Sequence, residues 1–100
     1  MTVKVIAEWN MKDGKADDMI DGCRGLFPVT REFDGCVMID VSISQDDKNL
    51  VVMTEEWTSK KHHLAYLKFR TDDGTIAMIS QMLTGAPKFT YWNLLMHSRR

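Results

Sequence analysis

Imidazole, phenol and guanidinium groups are concentrated in one short stretch, where His62, His63, Tyr66 and Arg70 follow one another at intervals of one, three and four residues. In a helix His62 stands one turn before Tyr66 and Arg70 one turn after it. The three then share a face, with His63 beside them. Such a face could move protons: imidazole titrates near neutrality, a phenol donates a hydrogen bond and becomes a base if its pKa falls, and a guanidinium steadies an anion. The preferred reading of the pair His62-His63 by itself is two exposed or half-exposed residues at a helix start. No third His, Cys or carboxylate falls at ligand spacing, so no metal site is expected.

Glu55 shares a strand face with Met53 and Trp57, and a carboxylate on an apolar face needs a cationic or backbone partner. A structural contact is the preferred reading for it, ahead of catalysis. Trp57, Trp9 and Trp92 sit on strands, where a large aromatic serves as core, interface or pocket wall. The eight Met residues suit either a core or a pocket for a flat apolar ligand. Cys23 and Cys36 form no Cys-x-x-Cys motif and read as free thiols packed in the core, while His97 near the end reads as solvent-facing.

The elements that must position these groups follow from periodicity. Residues 2–11 alternate, with Val3, Val5, Ala7, Trp9 and Met11 on one face of a strand. Residues 16–33 carry Met19, Ile20, Cys23, Leu26, Phe27 and Thr30 as one stripe of a helix, in which Pro28 predicts a kink or an early end. Residues 36–44 predict a second strand with Val37, Ile39, Val41 and Ile43 on one face and Cys36, Met38, Asp40 and Ser42 on the other. A polar loop at 45–49 leads to an antiparallel strand at 50–57. Thr58 and Ser59 supply helix-capping chemistry before a helix at 60–70, a short helix follows at 75–84, and a last strand at 88–96 places Phe89 and Tyr91 on one face. The order is βαββαβ, a ferredoxin-like α+β domain with one four-stranded antiparallel sheet and both long helices on one face. The other face keeps apolar side chains and predicts a partner sheet.

With 100 residues and 44% hydrophobic content the chain supports one domain, residues 1–100. Thirteen basic and fourteen acidic residues are interspersed, for a formal net charge of -1, and advertise no face for nucleic acid or anionic lipid. No apolar run approaches the roughly 20 residues that span a bilayer, and the first residues lack the regions of a signal peptide, so a cytoplasmic location is expected.

Three local motifs, in order, are similar to those of a known family. Asn10-Met11-Lys12-Asp13-Gly14-Lys15 resembles its turn into the first helix, Phe33-Asp34-Gly35-Cys36 its entry to the second strand, and Glu55-Glu56-Trp57-Thr58-Ser59 its Glu-x-Trp-x-Ser. The chain thus resembles the antibiotic biosynthesis monooxygenase (ABM) family of dimeric α+β-barrel proteins. The resemblance implies a homodimer with a pocket in each subunit between sheet and helices. Members include cofactor-independent monooxygenases of phenols, quinol-type oxygenases, haem-degrading enzymes and isomerases, so the family alone does not set the substrate.

Family members often carry a His about nine residues after the strand-ending Trp, followed by Leu, and that position here is Tyr66, followed by Leu67. The resemblance implies a cofactor-independent monooxygenase acting on a small aromatic molecule. Tyr66 and His62 are then the proton-handling candidates, with Trp57, His63, Arg70, Phe69 and Trp9 as substrate contacts. A non-catalytic small-ligand module or an isomerase is the alternative, which the missing His favours. Haem degradation needs an axial His on the second helix and an Asn on the first strand, and the register of His62, His63 and Asn10 fits neither.

Overall fold

Alternation at the start of the chain becomes strand β1 (Val3–Asn10), whose Val5, Ala7 and Trp9 are buried while the residues between them are half-covered. A computed structural model describes residues 2–100. After β1 come α1 (Ala16–Glu32), β2 (Cys36–Ile43), β3 (Leu50–Trp57), α2 (Lys60–Asp72), α3 (Thr75–Ser80) and β4 (Lys88–Asn93). The sheet order is β2-β3-β1-β4, and every neighbouring pair is antiparallel. This is the predicted ferredoxin-like α+β topology. The odd-numbered residues of β1, β3 and β4 face the helices, where Met19 and Cys23 of α1 and Ile79 of α3 pack with Ala7, Trp9, Val51 and Met53. Among the described residues, no helix is long and apolar enough to cross a membrane.

The structure departs from the sequence reading in three places. Helix α1 does not end early at Pro28 but runs on to Glu32. In the same stretch Thr30 Oγ1 and, from α2, Arg70 Nη2 both donate to the Leu26 carbonyl, at 3.0 and 2.9 Å. On β2 a bulge between Cys36 and Met38 adds one residue to the strand. Cys36 therefore pairs with Trp57 on the helix side, and Val37, expected on the face of Ile39, is 51% exposed. Finally, α3 and β4 stop at Ser80 and Asn93, short of the ends that periodicity suggested.

The turn into β2 fixes one candidate side chain. Gly35 has φ +91, and a Cβ built there would lie 2.5 Å from the His62 side chain. Its carbonyl accepts from Thr58 N–H at 2.8 Å, tying the turn to the start of α2. Gly35→Ala incurs both backbone strain and this overlap, so a loss of about 2–3 kcal/mol is expected in chemical denaturation. A loss below about 0.5 kcal/mol would show that His62 swings away freely.

Candidate functional site

The site begins at the end of β3. Glu55 points to the helix side of the sheet and is 3% exposed. Trp57 Nε1–H donates to its Oε1 at 2.9 Å, and His63 Nε2 lies 3.7 Å from the same oxygen. Burial disfavours the charged form of each group. It pushes Glu55 up to about 7, against the opposing pull of the Trp57 hydrogen bond, and pushes His63 down to about 4. The pair therefore meets neutral pH as a partly protonated carboxyl beside an uncharged imidazole.

On its other side, His63 Nδ1 is 2.9 Å from the hydroxyl of Tyr91 on β4. The tautomer of His63 links its two neighbours. If Tyr91 donates to Nδ1, Nε2–H faces a Glu55 carboxylate; if Nδ1–H donates to Tyr91, the bare Nε2 faces a Glu55 carboxylic acid. Burial, and then the Glu55 charge, raise the pKa of Tyr91, which keeps its hydroxyl protonated. Lys60 lies over the Tyr91 ring, 4.4 Å from its centroid.

A second polar group sits further along α2, with Tyr66 one turn and Arg70 two turns beyond His63. Arg70, 5% exposed, donates through Nε to the Tyr66 hydroxyl at 2.9 Å, through Nη1 to Asp73 at 3.1 Å, and through Nη2 to the Leu26 carbonyl and Thr30 Oγ1. Thr30 Oγ1 donates its single proton to Leu26, so the 2.7 Å contact between Thr30 and Tyr66 has Tyr66 as donor. The Tyr66 hydroxyl thus gives its proton to Thr30 and accepts from Arg70. It joins α1 to α2.

Between these groups lies a narrow cavity of about 40 Å³, bounded by the sheet and all three helices. Glu55, His63, Tyr66, Arg70 and Trp9 line it, among apolar residues such as Phe27, Ile76 and Phe89. Trp57 is fully buried one layer behind, its ring 5.1 Å from Tyr66 and 5.5 Å from His63. Phe69 turns outward, packed on Phe33 at 5.3 Å and under the Arg70 guanidinium.

His62 is not brought to the cavity. Its backbone N–H donates to the Ser59 cap, its Nδ1 is 2.6 Å from Ser59 Oγ, and its Nε2 is 3.6 Å from Asp34. The cap geometry turns the ring back over the helix start and against Gly35. The face expected to hold His62 with Tyr66 holds His63 with it instead. Two further side chains join the cluster: Glu55, for which the sequence reading preferred a structural contact to catalysis, and Tyr91, which it did not single out as a candidate. Strand parity signals both: Glu55 shares the Trp57 face, and Tyr91 the Phe89 face.

The sequence profile described as antibiotic biosynthesis monooxygenase matches residues 2–70. The chain belongs to that family. The match covers β1 through Arg70 and so includes every cavity residue discussed above except those of α3 and β4. Comparison with curated proteins gives no match. Among solved structures, a conserved protein from Methanosarcina mazei Go1 superposes with a TM-score of 0.81 at 17% identity, over 92% of this chain and 91% of the other. An antibiotic biosynthesis monooxygenase gives 0.80 at 20% identity, over 94% and 99%. Rv0793 from Mycobacterium tuberculosis gives 0.75 at 22% identity, over 99% and 100%. At these identities the likeness establishes the shared fold.

Proposed function

We propose that this ABM-family chain is a cofactor-independent monooxygenase that takes a small phenol or quinol into the cavity between its sheet and helices. The observation that carries this reading is the Glu55 carboxyl, buried in a mainly apolar cavity and poised near neutral pH. A base with that pKa abstracts a phenolic proton without needing alkaline conditions. In the dry cavity the phenolate is poorly solvated and passes one electron to O2. The radical pair combines to form a ring C–O bond, the hydroperoxide loses water, and the ring carbon becomes a carbonyl. A phenol with an open ring position plus O2 gives a quinone plus water, so the substrate supplies every electron.

In this scheme proton handling passes from Tyr66 and His62 to Glu55 and His63. Trp57 holds the Glu55 oxygen in place, while Tyr66 and Arg70 form the opposite polar wall. The test is oxygen uptake with a panel of phenols and hydroquinones in metal-free, flavin-free buffer. The parent chain consumes one O2 per quinone formed, and Glu55→Gln lowers kcat/KM by about 100-fold or more. His62→Ala stays within a few-fold of the parent. No uptake above background by the parent, or full activity in Glu55→Gln, overturns the reading.

One observation favours a second reading, a ligand-binding or isomerase-type module: the Tyr66 hydroxyl, standing where the family's His is usual, is fully engaged by Thr30 and Arg70. Thermal stabilisation by aromatic metabolites with no oxygen uptake selects it.

We further propose that the chain works as a cytoplasmic homodimer. The outer sheet face carries Ile6, Met38 and Val52 together with Trp92, which is 54% exposed, and a second sheet would cover them. The two unpaired thiols, Cys23 and Cys36, suit a reducing compartment. Light scattering at micromolar concentration is expected to give twice the chain mass, with Trp92→Lys shifting it towards one. A monomer for the parent chain rules the dimer out.

A further inference from the structure

Among the described residues, two buried side-chain nitrogens have no hydrogen-bond partner: His63 Nε2 and Trp9 Nε1. Both residues line the same cavity, and both rings pack against Phe89, with centroids 5.6 and 5.7 Å from it. Folded proteins rarely leave such groups unmatched, and a functional site is one recurrent reason for an exception. The His63 nitrogen is accounted for by Glu55, 3.7 Å away, since a small shift of either side chain closes the gap. The Trp9 nitrogen has no hydrogen-bond partner and no ion-pair neighbour to account for it among the described residues. Trp9 is 4% exposed, so water does not substitute freely, and an indole N–H can only donate. An acceptor arriving with a ligand would complete it.

We infer that Trp9 Nε1–H donates to a second oxygen of the ligand, so that Trp9 selects aromatic molecules bearing another hydroxyl or carbonyl besides the hydroxyl that meets Glu55. The inference rests on reading the cavity as the substrate site. It adds that a lone hydroxyl is not sufficient. A plain phenol leaves the indole N–H unmatched and buried in the complex, whereas a dihydroxy or hydroxycarbonyl ring satisfies both ends. Sites built around a buried polar group discriminate in this way because the analogue lacking the partner strands that group.

The test is anaerobic binding of phenol, catechol, resorcinol and hydroquinone, followed by NMR. The parent chain is expected to bind at least one dihydroxybenzene about 10-fold more tightly than phenol, and Trp9→Phe to reduce that ratio to between one and two. A second readout needs no variant: the Trp9 indole N–H resonance moves downfield with the preferred dihydroxybenzene and not with phenol. An unchanged ratio in Trp9→Phe, a resonance that does not move, or binding by none of the four overturns the inference. Oxygen uptake with no dependence on Trp9 leaves the proposed function standing and this inference fallen. A Trp9-dependent preference without oxygen uptake does the reverse.

Discussion

Glu55→Gln gains stability as pH rises from about 4.5 to about 6.5, His63→Gln loses it over the same interval, and the parent chain changes least of the three. This expected result follows from the opposite displacement of two pKa values. Glu55 titrates near 4.5 in the unfolded chain and about 7 in the folded one, so its share of stability is present below 4.5 and lost as pH rises to about 7. His63 titrates near 6.5 unfolded and about 4 folded, so its share is present above 6.5 and lost as pH falls to about 4. Between 4.5 and 6.5 the unfolded chain holds one proton on the imidazole, and the folded chain holds one on the carboxyl. The counts are equal, and this pair contributes no slope.

Removing one partner uncovers the other. The slope of unfolding free energy, taken relative to the parent, becomes about +1.4 kcal/mol per pH unit for Glu55→Gln and about -1.4 for His63→Gln. Urea unfolding at several pH values across the window measures both. Slopes of the same sign in the two variants would show that the groups do not carry the opposed shifts assigned to them.

Arg70→Met is expected to destabilise the fold strongly, through lost hydrogen bonds rather than lost volume. The substitution preserves length and apolar stem but removes hydrogen bonds to Tyr66, Asp73, Thr30 and the Leu26 carbonyl. Asp73 is part-exposed and finds water, and Thr30 still donates to Leu26, so no partner is left fully stranded. Taking the bonds at about 1 kcal/mol each and allowing for relief of the buried charge gives a loss of about 3 kcal/mol. For a chain of this size that lowers Tm by about 12–20 °C. Arg70→Lys recovers little, because one ammonium cannot reach acceptors arranged for a planar fork. A drop under about 5 °C for Arg70→Met would mean that packing, rather than this network, joins α1 to α2.

Most of the fold was legible because β1, β3 and the stripe of α1 carry clear periods, which burial follows except at Glu56 and at the part-buried Ile20, Leu26 and Phe27. The bulge on β2 was not, since an added residue leaves the apolar composition unchanged while moving Val37 outward and Cys36 inward. Nor was the passage of α1 through Pro28, because the sequence shows the proline's missing donor but not the packing that lets the helix run on to Glu32. The site was half legible. Spacing found the α2 face and Tyr66, but the choice between His62 and His63 turns on the Ser59 cap, whose effect on a ring is geometric. Glu55 was visible as a carboxylate on an apolar face, and only its neighbours show that among the described residues it meets no Lys or Arg within salt-bridge range, just an indole N–H and an uncharged imidazole.

The register of β1 with β4 has a kinetic consequence. Val3 pairs with Asn93, so the strand that carries Phe89 and Tyr91 docks across a separation of 90 positions. Loop closure over that span is slow compared with helix formation, and contacts of such high sequence separation hold folding rates down. Until that pairing forms, His63 lacks the Tyr91 hydroxyl and the Phe89 ring. The wall around the imidazole thus rests on the contact of greatest sequence separation in the sheet.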